Sequence, residues 1–188
     1  MAGPFSFDQI KPVNPLLALF PTGNYGIEHA FRIYKLVESL AEFEKLDDAS
    51  CQVLKFCALF VDISREENQM NSKVGLKSYE KLRGQNFLGK ASFKNELVHF
   101  IFQSIDSDKL DDKLEQFNLV NREEAIMLFK ILKDALALDA FRFGNFCAAD
   151  LELSNSKKLV LFASQFHRKE IKQDEILKEI EDWLKEIQ

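Results

Sequence analysis

All four prolines (Pro4, Pro12, Pro15 and Pro21) lie in the first 24 residues, and from Ile27 onward the apolar residues fall at helical spacing. Proline fixes its own φ and has no N–H to donate, so the opening segment reads as an irregular lead-in with one short helix around Leu16–Phe20. Beyond it Phe31, Tyr34, Leu36/Val37, Leu40 and Phe43/Leu46 mark one face of a first helix, with Glu and Lys between them. Asp47 and Asp48 are N-cap candidates for a second helix over Ala49–Ile63, apolar nearly all round and therefore central. A polar stretch over 64–73 precedes a third helix, Val74–Arg83, which Gly84 should close as a C-cap glycine.

A fourth helix is expected over Phe93–Ser104. The acidic segment 105–120 reads as irregular, with room for a short helical piece. Asn121-Arg-Glu-Glu124 has the form of a capping box and opens a strongly periodic helix, Arg122–Phe141. Two more helices follow over 156–168 and 172–187. No window alternates apolar and polar residues between turn signals, so the fold class expected is all-α, a compact multi-helix bundle. With 46% apolar residues and 18 phenylalanines, the chain has ample material for a core. We divide it into a lead-in (1–24), a helical core (22–150) and C-terminal helices packed on or extending that core (151–188).

In the last helix Leu177, Ile180, Trp183, Leu184 and Ile187 form a narrow apolar stripe. It suits docking on its own domain, or a seam for a protein partner or self-association, since it approaches a heptad for two repeats.

Charge and cysteine usage exclude several classes. Lys and Arg total 25 against 30 Asp and Glu, a net charge of −5, and no basic run announces a nucleic-acid surface. No stretch has the roughly 18 apolar residues of a membrane span, and no basic-then-apolar secretion signal opens the chain. Cys51, Cys57 and Cys147 are too few and too far apart for a disulfide framework or a zinc site, and read as reduced, buried thiols. A cytoplasmic protein is the expectation; delivery by a route that reads other signals stays open. There is no glycine-rich phosphate loop, and the acidic run Asp106–Asp112 lacks the oxygen-ligand spacing of a calcium loop.

Four fragments carry the chemistry of interest. They are Tyr25-Gly-Ile-Glu-His29-Ala-Phe-Arg32, Phe60-Val61-Asp62-Ile-Ser-Arg65, Val74-Gly75 followed by Leu82-Arg83-Gly84, and Asp134-Ala-Leu136-Ala-Leu-Asp139-Ala-Phe-Arg142-Phe-Gly144. In order and spacing they resemble the motifs of the HD-domain metal-dependent phosphohydrolases, over residues 22–150. That resemblance implies a helical HD-type scaffold. Its family holds one or two divalent metals through a first His, an adjacent His-Asp pair and a late Asp, and attacks a phosphoester with metal-bound water.

Carried over residue by residue, His29 and Asp62 stand at ligand positions. Val61 replaces the second histidine and Leu136 the late aspartate, while Tyr25, Val74 and Ile105 stand at accessory histidine positions. Aliphatic carbon cannot ligate a metal, so the resemblance implies a degenerate member with no catalytic residues and no cofactor. If any metal were bound, His29 and Asp62 would hold it. His99 and His167 do not take over, and Asp106, Asp108 and Glu66 could lend oxygens only from loops. We expect His29 to donate to Asp62 as a structural tie between the first two helices, since unpaired buried polar groups cost about 1–3 kcal/mol. Arg32, Arg65, Lys133 and Arg142 fall where the family places basic residues near its pocket, and are the candidate phosphate contacts.

Three functional expectations follow. The first is a non-catalytic HD-like domain acting through protein interaction. The second is a metal-dependent phosphohydrolase or phosphodiesterase with a rearranged site. The third is a nucleotide- or phosphate-binding module.

Overall fold

Two side-chain caps set the frame. Asp47 accepts the backbone N–H of Ser50 at 2.8 Å, and Asn121 accepts that of Glu124 at 3.1 Å, each satisfying a donor that a helix start leaves free. In a computed structural model describing residues 14–66, 73–85, 95–107 and 110–187, these caps open two of eight α-helices found among the described residues. The helices are α1 (Ile27–Phe43), α2 (Asp48–Phe60), α3 (Val74–Gly84), α4 (Asn95–Ser104), α5 (Leu110–Gln116), α6 (Arg122–Asp139), α7 (Val160–Phe166) and α8 (Gln173–Glu186). No strand occurs among the described residues, as the all-α expectation requires.

The ends of the helices show where local pattern yields to tertiary contact. α1 ends in a reversal that puts Lys45 at φ 56, with Leu46 N–H bonded to Ala41 O and Lys45 N–H to Glu42 O. This is a Schellman close with lysine where glycine is usual. α2 stops at Phe60 and not at the expected Ile63, because partners on α3 take the backbone of the next turn. Lys81 Nζ donates to Ile63 O at 3.1 Å and to Leu19 O at 2.9 Å, while Ser64 N–H donates to Ser78 Oγ. Gly84 does not reverse the chain either. It completes α3, and Gln85 N–H continues the pattern onto Lys81 O. The short helix expected around Leu16–Phe20 is a 3₁₀ turn, Leu17–Leu19.

α1 is the hub. It packs against α2, α6 and α8, α3 lies along α4, and α4 meets α2 and α6. A single apolar cluster runs from Leu16 to Ile187, with Phe56, Phe60, Phe100 and Phe102 among its largest fully buried members. The C-terminal helices belong to this core. Ile176, Leu177, Ile180, Trp183, Leu184 and Ile187 are all buried, and Trp183 meets Tyr34 of α1 edge-on with ring centroids 5.7 Å apart. The apolar stripe of α8, with Leu177, Ile180, Trp183, Leu184 and Ile187, therefore faces its own domain, the first of the two uses the sequence allows, and burial there removes that area from water.

The cysteines need one correction. Cys57 is buried, with its thiol pushed well above its ordinary pKa by burial, and Cys51 is half-buried, but Cys147 is exposed. No described helix is long and apolar enough to cross a membrane.

Candidate functional site

Three elements converge on His29. Helix α1 carries it on the same face as Arg32, the turn after α2 carries Asp62, and the last turn of α6 carries Asp139, with Arg142 in the 3₁₀ turn that follows. The positive φ of Gly144 (70°) closes that 3₁₀ turn and sets Arg142 over the cluster. The turn bearing Asp62 is held by Lys81 and Ser78, as above.

His29 is buried, at 2% exposure, and each ring nitrogen faces a carboxylate. Nε2 lies 3.0 Å from Asp62 Oδ2, and Nδ1 lies 2.7 Å from Asp139 Oδ2. An ionised carboxylate only accepts, so each contact requires the ring nitrogen that makes it to donate. The arginines complete the shell. Arg32 Nε donates to Asp139 Oδ1 at 2.5 Å, Arg142 Nη1 donates to Asp139 Oδ2 at 2.7 Å, and Arg65 Nε donates to Asp62 Oδ1 at 2.8 Å. Arg142 Nη1 also crowds His29 Nδ1, and the two share Asp139 Oδ2. Tyr25 closes the top of the cluster. The guanidinium carbons of Arg65 and Arg142 each lie 4.8 Å from its ring centre, and its ring meets His29 edge-on at 5.6 Å.

The expected His29–Asp62 tie is therefore present, but it is half of the arrangement. Asp139, which the sequence reading did not place at the site, supplies the shorter contact and the meeting point for two guanidiniums. It lies one helical turn beyond Leu136, the position that the resemblance sets against the family's late aspartate. Its spacing of three from Arg142 on one helix face was the available signal. Of the four basic candidates, Arg32, Arg65 and Arg142 reach the cluster. Lys133 does not. Its side chain is 52% exposed and its Nζ pairs with Glu152 at 3.0 Å on the outer face of α6. Lys133→Ala should change the free energy of unfolding by no more than about 0.5 kcal/mol, a near-zero shift that denaturant titration can verify.

The two apolar positions of the resemblance, Val61 and Leu136, belong to the core or pack on it. Val61 is buried, and Leu136 is half-buried against the same cluster. As a donor set for a divalent cation this is a poor fit. Two of the four positions offer only carbon. The two carboxylates also sit at opposite nitrogens of the ring, so they and the imidazole do not point at a common centre. Of the stand-in donors, Asp106 accepts the N–H groups of Gly75 and Leu76 at 2.8 and 3.4 Å and so caps α3, while Asp108 lies outside the described residues. His99 stacks on Tyr79 with ring centres 4.1 Å apart, and His167 Nδ1 donates to Ser164 O. Neither belongs to the cluster.

A second buried carboxylate was also not foreseen. Asp134, fully buried in α6, accepts the N–H groups of Glu152 and Leu153, each at 2.9 Å, and so anchors the segment that leads to α7 and α8.

The electrostatics of the His29 cluster follow from competing causes. Burial alone would raise the pKa of Asp62, but hydrogen bonding and charge from His29, and then from Arg65, reverse this and hold it below the usual carboxylate range. Asp139 follows the same pattern. Burial is outweighed by the hydrogen bonds from His29 and Arg32 and by their charges, and its pKa also lies low. Burial lowers that of Arg142, with Asp139 opposing. Depressed carboxylate values mean that the folded chain binds fewer protons than the unfolded chain in acid. The stabilisation from this pair is thus fully present above the unfolded aspartate pKa of about 3.9 and is lost as pH falls through the lower folded values. Urea unfolding followed from neutral pH downward should show a plateau, then a decline that begins near that value. Replacing Asp62 and Asp139 by Asn should flatten the decline.

Comparison of the chain with protein-family models, curated proteins and solved structures gives no significant match.

Proposed function

We propose that this chain is a non-catalytic helical domain of HD type that acts through protein contacts, and that its former coordination site has become a buried ionic tie. The observation that carries this reading is the engagement of His29: both ring nitrogens are taken up by Asp62 and Asp139, and those carboxylates are in turn covered by Arg32, Arg65 and Arg142. A ligand histidine needs one nitrogen free and deprotonated for the metal. Val61 and Leu136 add the second support, because full burial of Val61 contributes about 1.5–3 kcal/mol to the fold, half-buried Leu136 less, and neither offers an atom for coordination. The retained scaffold with a sealed site suits a surface-borne role, in a reducing compartment such as the cytosol where free thiols persist.

The test is elemental analysis and turnover of the purified chain. We expect manganese, iron, zinc and magnesium far below one ion per chain and no hydrolysis of bis(p-nitrophenyl) phosphate. Stoichiometric metal together with turnover would favour the rearranged enzyme. The double variant Val61→His with Leu136→Asp adds a positive arm. If these positions descend from ligands, it should bind zinc where the parent does not.

A phosphate- or nucleotide-binding role has one specific point in its favour. Three guanidiniums meet two carboxylates, an excess of one positive charge. A thermal shift on adding inorganic phosphate or a nucleotide, abolished by Arg65→Ala, would support it; the leading reading expects none.

A further inference from the structure

We infer that the groove between α1, α7 and α8 is the docking surface of this domain, and that it takes a basic amphipathic segment of a protein partner. The inference rests on the reading above that the chain acts through protein contacts, and it names the surface and the chemistry.

The groove encloses about 580 Å³. Its floor is apolar, formed by Phe31, Phe162, Phe166 and Ile171. Phe162 and Phe166 stack one helical turn apart with ring centres at 5.3 Å, so they present a single aromatic platform. Phe162 is nevertheless 42% exposed and its neighbour Leu161 68% exposed. Among the described residues α7 alone turns two consecutive large apolar residues outward; the other exposed ones, Phe43, Val120 and Phe143, stand singly. Such exposed patches beside a groove mark contact sites. The stripe on α8 cannot play this part, since its own domain already covers it.

Charge selects the occupant. Four carboxylates line the groove (Glu38, Glu170, Glu175 and Glu179) against two ammonium groups, Lys35 and Lys169. Lys35 is matched within the domain, bridging Glu38 at 3.0 Å and Glu179 at 2.5 Å, and its Nζ lies 5.7 and 5.5 Å from the ring centres of Phe31 and Tyr34. Glu38 takes Lys55 as well. The side chains of Glu170 and Glu175 make no hydrogen bond or ion pair among the described residues, and both are exposed on the rim. The exposed carboxylates Glu170 and Glu175 outnumber the one exposed ammonium of the lining, Lys169, and beside the apolar lining this excess fits a helix with apolar residues on one face and Lys or Arg flanking them. The net charge of −5 would steer such a segment toward the domain.

The full chain can be tested with a fluorescein-labelled helical peptide carrying leucine at every third and fourth position and lysine elsewhere. Its counterpart with glutamate for lysine is the control. Anisotropy titration should show saturable binding of the lysine peptide, binding at least about tenfold weaker for the glutamate peptide, and weakening with added salt. Phe162→Ser and the charge reversal Glu170→Lys with Glu175→Lys should each weaken binding by about tenfold or more, as loss of a hot-spot anchor does. Both change exposed side chains, and circular dichroism checks that they stay folded. As a readout independent of any variant, hydrogen exchange on the parent chain should gain protection in α7 and the first turns of α8 when the peptide is added. The proposal is overturned if neither peptide binds, if both bind equally, or if the variants bind as the parent does. It is also overturned if sedimentation shows a self-association that Phe162→Ser abolishes, which would make a second copy the occupant. The two readings fail separately: turnover with bound metal sinks the non-catalytic one, whereas a metal-free, inactive chain that ignores the peptide sinks only the groove.

Discussion

Asp139→Ala should lower the free energy of unfolding by about 3–5 kcal/mol, the cost of leaving buried charges without their partner. Asp139 is 2% exposed and is the acceptor for His29, Arg32 and Arg142 together. Removing it leaves three donors facing one another around a void, with only Asp62 nearby to offset them. Asp62 is already committed to His29 and Arg65. Against a typical stability of about 5–15 kcal/mol, the loss is a large fraction of the whole. Asp139→Asn keeps the shape and one acceptor oxygen while removing the charge, so it should fall between the parent and the alanine variant. Combining Asp139→Ala with Arg32→Ala should cost less than the sum of the two, with a coupling of about 0.5–3 kcal/mol. Urea unfolding measures all of these. A loss below about 1 kcal/mol for Asp139→Ala would place the cluster in effectively aqueous surroundings and remove the basis for calling it a sealed tie.

Gly75→Ala is expected to be comparably severe for a steric reason. A Cβ at this position would lie 2.0 Å from the carbonyl oxygen of Phe102 and 2.6 Å from Ile105 Cγ2. Overpacking usually costs about 1–3 kcal/mol, and here the obstructing atom is backbone, which cannot swing aside, so about 3 kcal/mol or more is expected. The only relief is to part α3 from α4. That movement also stretches the bonds from Gly75 and Leu76 N–H to Asp106. Gly84→Ala is the matching control. Among the described residues nothing lies within 4 Å of its added Cβ, and it sits in the last turn of α3, so alanine should stabilise by about 0.5–1 kcal/mol. The pair can be read in one series of thermal melts. Equal effects at the two glycines would contradict the close α3–α4 crossing.

The Gly75 result also bears on how the motifs are interpreted. Gly75 occupies the glycine of a two-residue fragment that resembles a ligand motif, yet its place in this fold is explained by helix crossing alone. Val74 before it is buried core. Packing alone is therefore enough to account for glycine at this position.

The helices were legible because their signals are local. Apolar spacing on α1 and α6, and the caps at Asp47 and Asn121, act over one or two turns, and the structure places them as the pattern requires. The His29–Asp62 contact was reachable because the two sit on consecutive helices. Asp139 was not, since its partners His29 and Arg32 are 110 and 107 positions away, and no periodicity encodes which buried acid meets which base. Asp134 escaped for the same reason. Its partners are backbone N–H groups of a segment that has no pattern of its own. Lys133 was misplaced because its spacing from Asp139 and Arg142 matched a motif, whereas its rotation about α6 turns it toward Glu152 and solvent.

The sequence by itself determined the helical class, most helix starts, and the want of any ligating atom at Val61 and Leu136, because these depend on residue type and on neighbours a few positions away. Only the tertiary structure decided that His29 is gripped from both sides, that the α8 stripe is spent on its own core, and that α7 keeps Leu161 and Phe162 in solvent. Each of those outcomes depends on which surfaces meet once the helices are packed, and that is fixed by shape and burial across the whole chain.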